Sequence, residues 1–128
     1  MSGLLLDTNI PSELTRPIPD LSVVRWLDDA DEREMFISAV SFGEIRKGTA
    51  ELPLGARRRD LEQWIETVLR PWFAGRILPV TDIIAERWGV LSAELRFRGR
   101  PIGMADGLIA ATALVHELTV VTRNITGI

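Results

Sequence analysis

Four short runs rich in aliphatic and β-branched residues stand far apart along the chain: LLL at 4–6, MFIS at 35–38, RILPV at 76–80 and LTVVT at 118–122. The stretches between them are too long for hairpin turns, so the strands must be joined by crossovers, which place them parallel. Those stretches read as helices. After Asp7, Thr8 and Asn9 a short helix carries Pro11 in its first turn, where the missing N–H costs nothing. DLSVVRWLDDA puts Val23, Trp26 and Leu27 on one face, and SFGEIRKGTAEL forms a third helix. Ala56 to Trp72 is the longest, because Leu61, Trp64, Ile65, Val68, Leu69 and Trp72 recur at three- and four-residue steps. Ile84, Trp88, Leu91 and Leu95 mark another, and MADGLIAATALVHEL is apolar enough to be a buried one. The expected fold is α/β, a central parallel sheet with helices on both faces.

The 128 residues carry no repeat or low-complexity tract, and with 46% hydrophobic and 26% charged content they read as one domain over 1–128 with a real core. No run approaches the roughly 18 apolar residues of a membrane span, and no signal-type segment opens the chain, so a soluble, cytoplasmic protein without membrane contact is expected. Cysteine is absent and His116 is the single histidine, which removes thiol nucleophiles and Cys/His zinc sites and leaves a Ser-His-acid triad dependent on one residue. No phosphate-cradling GxxxxGK[ST] loop occurs. A net charge of −3 argues against coating nucleic acid by bulk electrostatics. Whatever chemistry exists must lean on carboxylates.

Three acids lie in apolar or small surroundings: Asp7 after LLL, Glu44 in SAVSFGEI and Asp106 in IGMADGLIAA. Each has an ordinary structural role open to it. Asp7 can satisfy free N–H groups where a helix begins. Ser41 and Glu44 have capping-box spacing, and Asp106 in a first helical turn complements the dipole. Taken together they point elsewhere, because ligands of open parallel sheets gather at the C-terminal ends of strands. Two carboxylates about 4 Å apart repel by about 4 kcal/mol at an effective dielectric near 20, a penalty that a bound cation removes. Oxygen-only ligation suits Mg²⁺ or Mn²⁺, and two such ions about 3.5–4 Å apart activate water for phosphodiester hydrolysis without Cys or His.

At these residues the sequence resembles a known family. LLLDTN, the acid in SAVSFGEIRKG, the helix opening MADGLIAATA and the strand ending VVTRN look like the PIN-domain ribonucleases of the VapC and FitB toxin type, found in bacterial toxin–antitoxin pairs. The likeness extends through RPWFAGRILPVTD and implies a PIN-like three-layer sandwich. It implies that Asp7, Glu44 and Asp106 bind Mg²⁺ (or Mn²⁺), that Thr8 orders water or metal beside Asp7, and that Asn124 takes the fourth polar position. It further implies an RNA substrate, a cognate antitoxin that shields the acids, a homodimer, and a toxin–antitoxin hetero-oligomer held on operator DNA through the antitoxin. Relatives carry an acid at or just after the position of Asn124, and a final strand follows there, whereas this sequence offers an amide and ends at Ile128. That departure keeps open a second reading, a non-catalytic module that binds an antitoxin and regulates. An aspartyl phosphatase using Asp7 ranks last, since Asn9 stands where a second Asp is wanted.

Arg46, Lys47, Arg96, Arg98, Arg100 and Arg123 are the candidate RNA-backbone contacts, because a phosphodiester beside an acidic site needs cations. Arg57, Arg58 and Arg59 read as solvated surface with the same option. His116 fits a helix C-terminus, and Trp26, Trp64, Trp72 and Trp88, at helical spacing, fit the core. The apolar surroundings of Trp26, Ile45 and Trp64 are the expected antitoxin groove or dimer face.

Overall fold

Leu4, Leu5 and Leu6 pair with Met35, Phe36 and Ile37 on one side and with Thr119, Val120 and Val121 on the other. The opening run is thus an inner strand of the sheet in the computed structural model, which describes residues 3–122. Strands β1 (Gly3–Leu6), β2 (Met35–Ser38), β3 (Ile77–Leu78) and β4 (Leu118–Val121) stand in the order β3-β2-β1-β4, all parallel. Helices α1 (Asn9–Glu13), α2 (Leu21–Asp29), α3 (Ala39–Ala50), α4 (Ala56–Trp64), α5 (Arg70–Trp72), α6 (Asp82–Phe97) and α7 (Met104–His116) fill the intervals. Among the described residues no helix is long and apolar enough to cross a membrane.

Strand side chains alternate between faces, and here each face meets its own core. Leu4, Leu6, Met35, Ile37, Ile77 and Val121 face Ile10, Val23, Ile65, Leu69 and Phe73. Leu5, Phe36, Leu78 and Val120 face Ile109 and Ala113 of α7. Each fully buried Leu, Ile or Phe contributes roughly 1.5–3 kcal/mol. Two cores on opposite faces of one sheet are the three layers expected. The tryptophans follow the core reading: Trp26, Trp64 and Trp72 pack against the first cluster. Trp88 of α6 lies so near α7 that a Cβ on Gly107 would sit 2.7 Å from its ring. His116 ends α7 as expected.

Two elements differ from the sequence expectation. The predicted helix over 56–72 is interrupted by a π-helical turn at Ile65–Leu69. A π turn takes an extra residue per ring, so the apolar face slips: Ile65 and Leu69 are buried while Val68 turns out to 46% exposure. The third strand keeps only Ile77 and Leu78 of the predicted 76–80. Pro79 has no N–H to continue the ladder. Arg76 serves as a strut, donating to the carbonyl of Met35 at 2.7 Å and to those of Glu32 and Trp72, with its guanidinium over the Phe73 ring.

Candidate active site

β1 ends at Leu6, yet the ladder continues by one bond, since the Asp7 N–H donates to the Val121 carbonyl at 2.8 Å. This holds Asp7 at the shared C-terminal edge of β1 and β4. Its Oδ1 accepts the Thr8 N–H at 2.8 Å, so part of the helix-start role foreseen for Asp7 is real. From across the edge comes Asp106, exposed in the first turn of α7. The two carboxylates line one cavity of about 220 Å³ with Ile109, Ala110, Val120 and Thr122. The close crossing of α6 and α7 at Gly107 fixes the helix that presents Asp106.

Glu44 reaches the same edge by a different route. The capping box of Ser41 and Glu44 does not form, because α3 starts at Ala39 with Ser38 Oγ accepting the Val40 N–H at 3.0 Å. Both residues are therefore one turn inside the helix and share a face. Thr8 Oγ1 lies 2.5 Å from Glu44 Oε1 and 2.9 Å from Ser41 Oγ. A hydroxyl has one proton, so Thr8 donates to the carboxylate and accepts from Ser41. Ser41, fully buried, joins this hydrogen-bonded group instead of capping the helix. The signal that could have found it is its i−3 spacing from Glu44 together with the earlier Ser38, which suffices as the cap.

The acids feel one another. Burial pushes the Asp7 carboxyl above its ordinary value of 3.8, the Thr8 N–H opposes this, and the charges of Asp106 and then Glu44 push it further up. Among the described residues, however, no three Asp, Glu or His side chains converge as a ready-made metal cage. Glu44 is drawn toward Thr8, while Asp7 and Asp106 share a cleft. Such an arrangement fits a hard cation by a looser rule, since Mg²⁺ is commonly held by one or two carboxylates and completed by waters and substrate phosphate. The all-oxygen donor set and the mutual repulsion at Asp7 both suit that ion.

Of the remaining candidates, Asn124 and Arg123 lie outside the described residues. Arg46 is committed to Glu66 at 2.6 Å. Lys47 lines an open cleft of about 600 Å³ with Glu44 and Ala105, and Arg96, Arg98 and Arg100 are exposed at the end of α6 and beyond.

Residues 4–125 of this parallel α/β sandwich match one family model, described as the PIN domain. The toxin FitB of Neisseria gonorrhoeae is 41% identical over 121 residues, covering 94% of this chain and 87% of that protein. The VapC ribonuclease Y4jK of Sinorhizobium fredii is 38% identical over 121 residues, covering 94% and 86%. A solved structure of FitAB bound to an IR36 DNA fragment gives a TM-score of 0.88 at 41% identity, covering 97% of this chain and 86% of that one. The chain belongs to the PIN-domain family, among the VapC and FitB type of toxins.

Proposed function

We propose that the protein is an Mg²⁺-dependent endoribonuclease, the toxin of a type II toxin–antitoxin pair. The observation that carries this reading is the cleft that Asp7 and Asp106 share at one sheet edge, with Glu44 held beside it by Thr8. Asp7 and Asp106 would hold the cation in the cleft they share, with water and phosphate oxygens as its other ligands. Bound there, Mg²⁺ (or Mn²⁺) supplies neutralising charge and polarises the phosphodiester. Thr8 holds Glu44 through Oε1, which sets this carboxylate beside the edge to orient a water. Ser41 holds the Thr8 hydroxyl in turn.

The similarity to FitAB on DNA supports a cognate antitoxin as partner, with operator DNA contacted through it. An RNA substrate places the activity in the cytoplasm. The homodimer has support in α6, where Ile83, Val90 and Phe97 stand exposed at seven-residue steps.

Purified, antitoxin-free protein should cleave RNA with Mg²⁺, stop in EDTA and recover when the metal returns. Asp106→Asn should slow cleavage by about 10²–10³-fold, the scale for removing one charge-stabilising group. Cleavage indifferent to EDTA and to that substitution overturns the reading. The lack of a closed three-acid cage among the described residues favours, as a second reading, a non-catalytic module that binds an antitoxin. Calorimetric titration with Mn²⁺ separates the two, because tight binding lost in Asp106→Asn counts against the module.

A further inference from the structure

Beside the acidic edge lies a second cavity, of about 330 Å³, between α1, α3 and α4. Thr8 and Glu44 line it, so it is continuous with the candidate active site, and Thr15, Thr49, Arg57 and Trp64 complete its chemistry. We propose that this cavity takes one unstacked nucleobase of the RNA strand, next to the phosphodiester being cut. The proposal rests on the ribonuclease reading above and assigns it a substrate subsite.

Size, walls and rim agree on this occupant. The volume is at the small end of ligand pockets, about 300–1,000 Å³, and is enough for one flat base. Single-stranded RNA is recognised by splaying bases onto aromatic and guanidinium planes, and both are present. Trp64 packs by one side against the core, which holds its ring in place. Arg57 is exposed, but its Nη2 donates to the Thr15 carbonyl at 3.1 Å, tying the guanidinium across the cavity mouth. A cation there is what a phosphodiester strand requires beside three acids.

The hydroxyls add hydrogen-bonding sites for the edge of a base. Thr15 Oγ1 donates to the Ser12 carbonyl at 2.7 Å, and Thr49 Oγ1 to the Ile45 carbonyl at 3.0 Å. Their protons are spent, so toward the cavity they can only accept, as does the Glu44 carboxylate. Thr15, Thr49 and Glu44 thus offer acceptors to the N–H groups of a base edge, and Arg57 offers donors to its carbonyl or ring nitrogen.

Gly48 provides the test. It lines the cavity, and a Cβ built on it meets nothing within 4 Å, so Gly48→Leu puts bulk into open space without touching Asp7 or Asp106. Gly48→Leu and, separately, Arg57→Ala are introduced into the Asp106→Asn protein, and anisotropy reads binding of fluorescein-labelled oligo(A), oligo(C) and oligo(U) RNA in EDTA. Each variant should weaken all three by about 5- to 150-fold, the worth of one stacked base. In the otherwise unchanged protein the same variants should slow cleavage of a dilute RNA by a similar factor. Circular dichroism confirms that the variants fold. Unchanged affinity in both variants overturns the proposal. Loss of antitoxin binding with RNA binding intact also overturns it, by giving the cavity to the partner. Absence of metal-dependent cleavage in the starting protein strikes the ribonuclease reading instead, while the binding arm still decides the cavity.

Discussion

Two carboxylates of this molecule, Asp7 and Glu66, live under opposite electrostatic regimes. Glu66, in the π turn, accepts from Arg46 at 2.6 Å through Oε1 and from Arg70 at 3.3 Å through Oε2. The Arg70 hydrogen bond, with Arg46 adding to it, holds its carboxyl below the usual value. Asp7 has a single backbone N–H and two acidic neighbours, and its carboxyl is held above the usual value. Among the described residues no ion pair engages Asp7, Glu44 or Asp106. The fold has arginines and spends them on Glu66, where a carboxylate has only to be satisfied. At the strand ends it gathers acids and withholds the cation, which leaves a binding energy for a ligand to release.

The contrast is broken most severely by Asp7→Asn, which should lower RNA cleavage by about 10²–10³-fold while Glu66→Gln leaves the rate unchanged. A single-turnover assay on one RNA reads both, and equal effects would erase the distinction. Thr8→Val comes next. The variant keeps the shape of Thr8 but loses the proton given to Glu44, and cleavage should fall by about 10- to 100-fold, the scale for groups that orient a ligand. Thr8→Ser, which keeps the hydroxyl for Glu44, should recover most of the rate, which simple loss of packing would not allow.

Much of this was legible in the sequence because the signals are local. An apolar run that stops on Asp7 is a strand end, and an acid three residues past Gly103 falls in a first helical turn. Glu44 was less legible, since Ser38 and Ser41 both qualify as caps and only the helix start, set by Ser38, decides between them. The bond from Thr8 to Glu44 spans 36 residues and has no local trace. Arg76 hid for the same reason, its carbonyl partners at Glu32 and Met35 lying 44 and 41 residues away. A 3.6-residue period carried across 56–72 put Val68 inside, and one wide turn was enough to move it out.

A smaller effect sharpens the comparison through stability. A native carboxyl with a raised pKa holds its proton more tightly than the unfolded chain does, so stability declines as pH climbs from the ordinary 3.8 through the raised value. At neutral pH the ionised Asp7 is therefore a cost. Asp7→Asn keeps an oxygen for the Thr8 N–H and removes the charge, so its Tm should exceed that of the unchanged protein by about 2–5 °C at pH 7. The gain should vanish below pH 3.8, where Asp7 is protonated in both states. Millimolar Mg²⁺ should raise the Tm of the unchanged protein and not that of the variant, since a ligand stabilises only the state that binds it. Glu66 has the reverse sign: its lowered pKa contributes stability above the ordinary 4.5 that is lost as pH falls through the native value. Because it stands in solvent, Glu66→Gln should shift Tm least of all, and 0.5 M salt should remove what shift there is, leaving the two carboxylates distinguished by a variant that stabilises at the site and one that slightly destabilises away from it.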